Sequence, residues 1–184
     1  ATGTRTLFLG LTGNTVRTVA DFPAAGLAAS PNGDEMMLVR HVEAHHWVIE
    51  TAALEGVPKN TELVAHTSSI RQVALRADGS AVAYLCGEPH GRKELRLGEI
   101  QGSRMESRLL LDGDIQMAQS PFHPDGQSLL CAVESGDGSR MIRQINLDNG
   151  ATIAALGPGE DATWRPQGDY CVALAPDHAN RLQV

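Results

Sequence analysis

The sequence is short of several things that would settle its class at once. It has only three cysteines, Cys86, Cys131 and Cys171, and an odd, small number of thiols builds no closed disulfide framework. It is also short of positive charge, with 15 Lys and Arg against 22 Asp and Glu and a formal net charge of −7. The basic residues are scattered apart from "GRK" at 91–93; without a basic face, nucleic acid and anionic lipid are excluded as partners. No apolar run has the length needed to span a bilayer, so membrane insertion is not expected. No signal peptide opens the chain, and its first residue is Ala and not Met, which leaves room for a leader or upstream domain already removed. Catalytic signatures are missing too: no G-x-S-x-G elbow, no local Cys-His signature and no Gly-rich phosphate loop opening a helix.

What the sequence does have is repetition. "SPNGDEMMLV" from Ser30, "LRADGSAVAYL" from Leu75, "FHPDGQSLLCAV" from Phe122 and "WRPQGDYCVAL" from Trp164 each run from a small Gly-ended turn into a short apolar stretch. The turn glycines are Gly33, Gly79, Gly126 and Gly168, and a second ladder, Gly13, Gly56, Gly102 and Gly150, interleaves with them; both have spacings of 42 to 48 residues. Runs such as "SAVAYLC", "SLLCAV" and "DYCVAL" are too short for helices and suit strands buried on both faces. The stretches that follow, "KELRLGEI" and "RMIRQINL", alternate with period two. A turn-linked set of three or four antiparallel strands about every 45 residues is the size of one β-propeller blade; an irregular β-sandwich is the alternative. The expectation is therefore all-β, a propeller of about four blades in a single domain over 1–184, with units starting near 30, 75, 121 and 164. Phe122 and Trp164, just before their turns, are expected to pack on the neighbouring blade. The three cysteines fall at odd offsets from their turn glycines, on one strand face, and are read as small buried hydrophobes.

The stretches "WRPQGDYCVAL" and "SPFHPDGQSLLCAVESGDGSRMIRQINLDNGATIAAL" resemble the TolB-type propeller repeat, a WD40-like unit. The likeness is specific over 122–150, partial over 30–56 and weak in the second unit, where Ala77 stands in place of Pro and Leu75 in place of the aromatic. This building block occurs in Tol-system scaffolds, peptidase propellers, lyases and the sensory domains of bacterial regulators, so the resemblance implies fold far more than function. It implies a bacterial, periplasmic protein, although unpaired cysteines suit a reducing cytoplasm equally. TolB-like propellers usually have six or more blades. The chain is then either a small ring, in which the strands around Gly13 complete a blade begun at the C-terminus, or part of a larger ring of six to eight blades. In the second case the edge "TLFLGL" is free to drive a homodimer.

Seven histidines invite a metal reading, but "HVEAHHW" offers no clean set of ligands, and its turn is expected at Glu43 and Ala44. "LDGDIQ" places Asp112 and Asp114 at a calcium-like spacing without the remaining loop ligands. No catalytic residue, metal ligand or cofactor is therefore assigned. What remains is the set of hairpins that equivalent positions would gather at one end of the disc: "EAHH", "EPHGRK" and "ESGDGSR". The expected function is a non-enzymatic binding module for a protein or peptide partner, with His45, His46, His90, Arg92, Lys93, Asp137 and Arg140 as the binding residues. The alternatives are a metal-assisted polysaccharide lyase or hydrolase propeller, and the sensory or regulatory propeller domain of a longer bacterial protein.

Overall fold

The structure is a computed structural model that describes residues 6–12, 15–22, 26–29, 35–53, 60–66, 68–87, 91–174 and 182–183. Every regular element in it is a strand. β1 (Thr6–Thr12) and β2 (Thr15–Phe22) form a two-stranded sheet of their own. β3 (Gly26–Ala29), β4 (Glu35–Glu43), β5 (His46–Ala53) and β6 (Asn60–His66) form a four-stranded antiparallel meander, called blade 1 below. β7 (Ile70–Leu75), β8 (Ala81–Gly87), β9 (Lys93–Gln101) and β10 (Arg104–Gly113) repeat it as blade 2. β11 (Ile115–Phe122), β12 (Ser128–Glu134), β13 (Arg140–Asn146) and β14 (Thr152–Pro158) make blade 3. β15 (Asp161–Trp164), β16 (Cys171–Leu174) and β17 (Leu182–Gln183) begin a further sheet. This is an all-β, propeller-like arrangement of meanders. β16 hydrogen-bonds β17 on its outer side, and β1 hydrogen-bonds β2.

The repeated Gly turns join the first strand of each meander to its second. In all three described copies the turn glycine N–H donates to the carbonyl three residues back, Gly79 to Arg76, Gly126 to His123 and Gly168 to Arg165, each at 2.8 Å. The φ angles of +75°, +73° and +76° explain why glycine occupies the position. Ala77 in place of Pro therefore leaves the second turn intact, because the positive-φ residue fixes this turn more than the one before it. Gly33 and Gly13 lie outside the described residues.

Counting from the turn glycine assigns the faces of each second strand. Even offsets point forward, toward the next blade, as in Ala81, Ala83 and Leu85 of β8 and Leu130 and Ala132 of β12. Odd offsets point backward: Val82, Tyr84 and Cys86 pack with Met37, Val39 and Ile49 of blade 1, and Leu129, Cys131 and Val133 pack with Leu95 and Leu97 of blade 2. All six residues 81–86 and all six residues 128–133 are buried. Each fully buried large apolar side chain contributes about 1.5–3 kcal/mol, so these interfaces hold the blades together. Cys86 and Cys131 are buried, and Cys171 is half-buried on the same backward face. Burial raises the thiol pKa to about 11 for Cys86 and about 12 for Cys131, as expected of packing residues and not reactive ones. β16 departs from the expectation of two buried faces: its residues are half-buried, and Leu174 at a forward offset is 54% exposed.

The aromatics before the turns do pack across blades. Phe122 lies against the cluster between blades 2 and 3, and Trp164 against that between blade 3 and β16. A second device, absent from the sequence reading, runs beside them. In two described units the residue three before the turn glycine reaches the next turn: Arg76 Nη1 donates to the Gly126 carbonyl at 3.4 Å, and His123 Nε2 to the Gly168 carbonyl at 3.0 Å. The His123 ring also stands edge-on to Trp164, with centroids 4.6 Å apart. Between the first strands, the Gln72 side-chain amide donates to the Met117 carbonyl at 3.2 Å and accepts from the Met117 N–H at 3.1 Å.

Blade 3 breaks the repeat. The stretch 115–126 is two residues longer than its counterpart 70–79, and the β11–β12 register shifts between Met117 and Phe122. The surplus bulges away from β12, and Ser120 pairs in parallel with Thr163 of β15, joining β11–β17 into one seven-stranded sheet. Pro121, with no N–H to give a ladder, falls in that bulge.

Candidate functional site

The hairpins between second and third strands form the end of the fold opposite the Gly turns. In blade 1 the turn sits at Ala44 and His45, one residue beyond the expected Glu43 and Ala44. His45 takes φ +59°, a left-handed conformation that Asn, Asp and His tolerate better than most side chains. It is exposed. His46 is half-buried, with Nδ1 3.6 Å from a Glu43 carboxylate oxygen, and the His41 ring stacks on Trp47 at 4.4 Å. His90 lies outside the described residues.

The residues from blades 2 and 3 converge. Arg92 donates through Nε and Nη2 to both Asp112 oxygens, at 3.1 and 2.6 Å, a two-pronged pair on an exposed surface. That pairing raises the Arg92 pKa further. Lys93, only 15% exposed, donates to Asp114 at 3.2 Å. Arg140 reaches the same Asp114 oxygen at 3.4 Å and Gln116 Oε1 at 2.9 Å. Asp137 joins none of these: its carboxylate accepts from the Ser139 hydroxyl at 2.6 Å and backbone N–H at 2.9 Å. Those hydrogen bonds hold its pKa below the usual carboxylate range. Three of the seven expected binding residues are thus drawn together, on Asp112 at the end of β10 and Asp114 in the link between blades 2 and 3. His45 and His46 remain on a separate hairpin.

Asp112, Asp114 and Gln116 were missed as members of this surface. In the sequence they are visible as an acidic pair around Gly113, some twenty residues beyond Lys93, and only the meander brings them back beside it. Among the described residues, no three His, Cys, Asp or Glu groups come together as a metal-ligand set.

A second polar cluster lies inside the blade 1–blade 2 interface. Cys86 Sγ is 3.9 Å from His66 Nε2 and 3.8 Å from a Glu94 carboxylate oxygen, and Arg96 Nη1 donates to Glu94 at 2.7 Å. Among the described residues, the buried His66 Nδ1 has no hydrogen-bond partner. Loss of water, followed by the nearby Arg96 charge, lowers the His66 pKa below 6.5, against a smaller opposing pull from Glu94. The unfolded chain therefore takes up this proton first as pH falls. Stability from this site is complete above about pH 6.5 and declines below it, down to the lowered folded-state pKa. Thermal melts between pH 7 and 5.5 should show a fall in Tm that His66→Phe flattens; an unchanged slope in the variant would assign the fall to other groups.

No family model matches this sequence, and no curated protein matches it. Solved structures do match in shape. A candidate TolB from Agrobacterium tumefaciens is 18% identical with a TM-score of 0.62, over 86% of this chain and 57% of that one. TolB from Acinetobacter baumannii is 16% identical with a TM-score of 0.64, over 92% of this chain and 42% of that one. An oligogalacturonate lyase in complex with manganese is 14% identical with a TM-score of 0.66, over 90% of this chain and 52% of that one. The fold is that of the TolB-like propellers, and the chain spans about half the length of the structures it matches.

Proposed function

We propose that this chain is a single propeller domain, with units starting near 30, 75, 121 and 164, that serves as a non-enzymatic binding module. The observation that supports this reading best is the convergence of Arg92, Lys93 and Arg140 on Asp112 and Asp114. Side chains locked by ion pairs across two blades lose little freedom when a partner docks. Both signs of charge stand on one rigid surface, which suits a polar protein or peptide partner. His45, His46, His90 and Asp137 extend the surface in this proposal, which places the protein in a bacterial periplasm, on the likeness to TolB.

A photo-crosslinking residue at Ser139, compared with one at Asp148 on the opposite end, tests the reading in cells. One partner captured from position 139, absent from 148 and lost in an Arg92→Glu/Arg140→Glu variant that still folds, is the expected result. Equal capture from both ends would remove the rim as the site. A second reading, a metal-assisted polysaccharide lyase or hydrolase, draws on the likeness to the oligogalacturonate lyase. It requires stoichiometric metal in protein purified without chelator. A third, the sensory or regulatory domain of a longer chain, draws on the half-length match and is settled by the full reading frame.

A further inference from the structure

Between the Gly turns of blades 2 and 3 lies a cavity of about 310 Å³, at the small end of the roughly 300–1,000 Å³ that small-molecule sites occupy. Six charged side chains line it, Arg76, Asp78, Glu99, Arg108, Asp125 and Asp148, and the buried Leu97 and Leu147 supply apolar wall. Three of the six are committed. Arg76 gives Nε to Asp78 at 3.0 Å, Nη2 to the Ser80 hydroxyl and Nη1 to the Gly126 carbonyl, and Asp125 accepts from the Gln127 N–H at 2.8 Å. The other three have capacity to spare. The Glu99 and Asp148 carboxylates are exposed and, among the described residues, enter no hydrogen bond or ion pair. Arg108 is half-buried and donates only Nη2, to the Leu147 carbonyl of blade 3, so its Nε and Nη1 have no partner among the described residues. Arg108 stands opposite Leu97 in the β9–β10 ladder, which makes Glu99 its diagonal neighbour on the same face, at the roughly 7–8 Å usual for such positions. These opposite charges are near enough to pair, yet the Arg108 head turns to blade 3 and the two are held apart.

We propose that this cavity binds a free dibasic α-amino acid of the lysine class, its carboxylate on Arg108 and its two ammonium groups on Glu99 and Asp148. The uncommitted set is one guanidinium and two carboxylates, and its complement is one anion and two cations carried by a single small molecule. Each contact is a charge-assisted hydrogen bond, the stronger kind. The aliphatic stem between the ammonium groups lies along Leu97 and Leu147. Across the whole lining, four carboxylates against two guanidiniums favour a ligand of net positive charge. A monoamino acid leaves one carboxylate unmet, and a diamine leaves Arg108 unmet. The cavity lies at the Gly-turn end, away from the rim, and the proposal stands whether or not the rim reading does.

Isothermal titration calorimetry of the full chain with L-lysine should show a single site. Norleucine, which lacks the side-chain ammonium, cadaverine, which lacks the carboxylate, and Nα-acetyl-lysine, which lacks the α-ammonium, should each bind about tenfold more weakly or worse, a difference of about 1.4 kcal/mol. Arg108→Gln should weaken lysine by a similar factor and leave cadaverine unchanged, whereas Glu99→Gln should weaken both. If Arg108→Gln fails to fold, Glu99→Gln decides, because the Glu99 carboxylate is exposed and holds no described group in place. No binding of lysine, cadaverine bound as tightly as lysine, or an unchanged lysine affinity in Glu99→Gln overturns the proposal. Nα-acetyl-lysine bound as tightly as lysine also overturns it, and would reassign the cavity to the C-terminal lysine of a peptide.

Discussion

Replacing Gly150 by Ala should cost about 3 kcal/mol or more and lower Tm by roughly 6–12 °C for a chain of this size. Gly150 turns β13 into β14 at φ +72°, and a Cβ there would stand 2.2 Å from the backbone carbonyl oxygen of Leu110 in blade 2. Two costs add. The left-handed conformation alone costs an L-residue about 1–2 kcal/mol. The clash is with main chain in a neighbouring β-sheet, so relief means moving blade 3 away from blade 2 and loosening the cluster around Leu129 and Cys131. Gly138→Ala separates the terms, since Gly138 has φ +80° with open space around it and should show the conformational cost alone. Thermal melts of both variants check this; equal losses would mean that the blade-to-blade approach at Leu110 is soft.

Asp114→Lys should be the most damaging change at the rim, with a loss of about 2 kcal/mol. It would set three cations together where Lys93 and Arg140 now share one carboxylate. Lys93 is the more enclosed of the two, and uncompensated charge costs more where water is scarce; the partial exposure of Arg140 and Asp114 moderates the total. Part of the loss should return in 1 M salt, where screening acts over about 3 Å. Asp114→Asn, which keeps an acceptor and drops the charge, should fall between the two proteins. In the photo-crosslinking experiment, Asp114→Lys should abolish capture from position 139. Denaturant melts at two salt concentrations give the energetic half of the answer. A loss that salt does not touch would point to packing.

Several features of the fold could be read from residue types because they depend on local chemistry. The Gly turns follow from a backbone angle that glycine tolerates, and the faces of Cys86, Cys131 and Cys171 follow from strand parity once the turns are fixed. The turn at His45 escaped by one residue because His stands where Asn or Gly would have marked a left-handed position. The bulge in β11 escaped for another reason: two extra residues in a repeat are visible in the count, but their pairing with β15 depends on what lies beside them in space. The rim shows the same division. Arg92, Lys93 and Arg140 were found by equivalent position. Their acidic partners were considered only as calcium ligands, since an ion pair across two blades has no spacing rule in sequence.

The contacts of Arg76 with Gly126 and of His123 with Gly168 also bear on how such a chain can lengthen. Each donor is written in one unit and its acceptor in the unit after it, at the same place in both described cases. A tandem duplication of any whole unit would therefore arrive carrying both halves, a key for the copy after it and a lock for the copy before. Growth by insertion needs no compensating change at the seams, provided the residue three before the glycine keeps its reach.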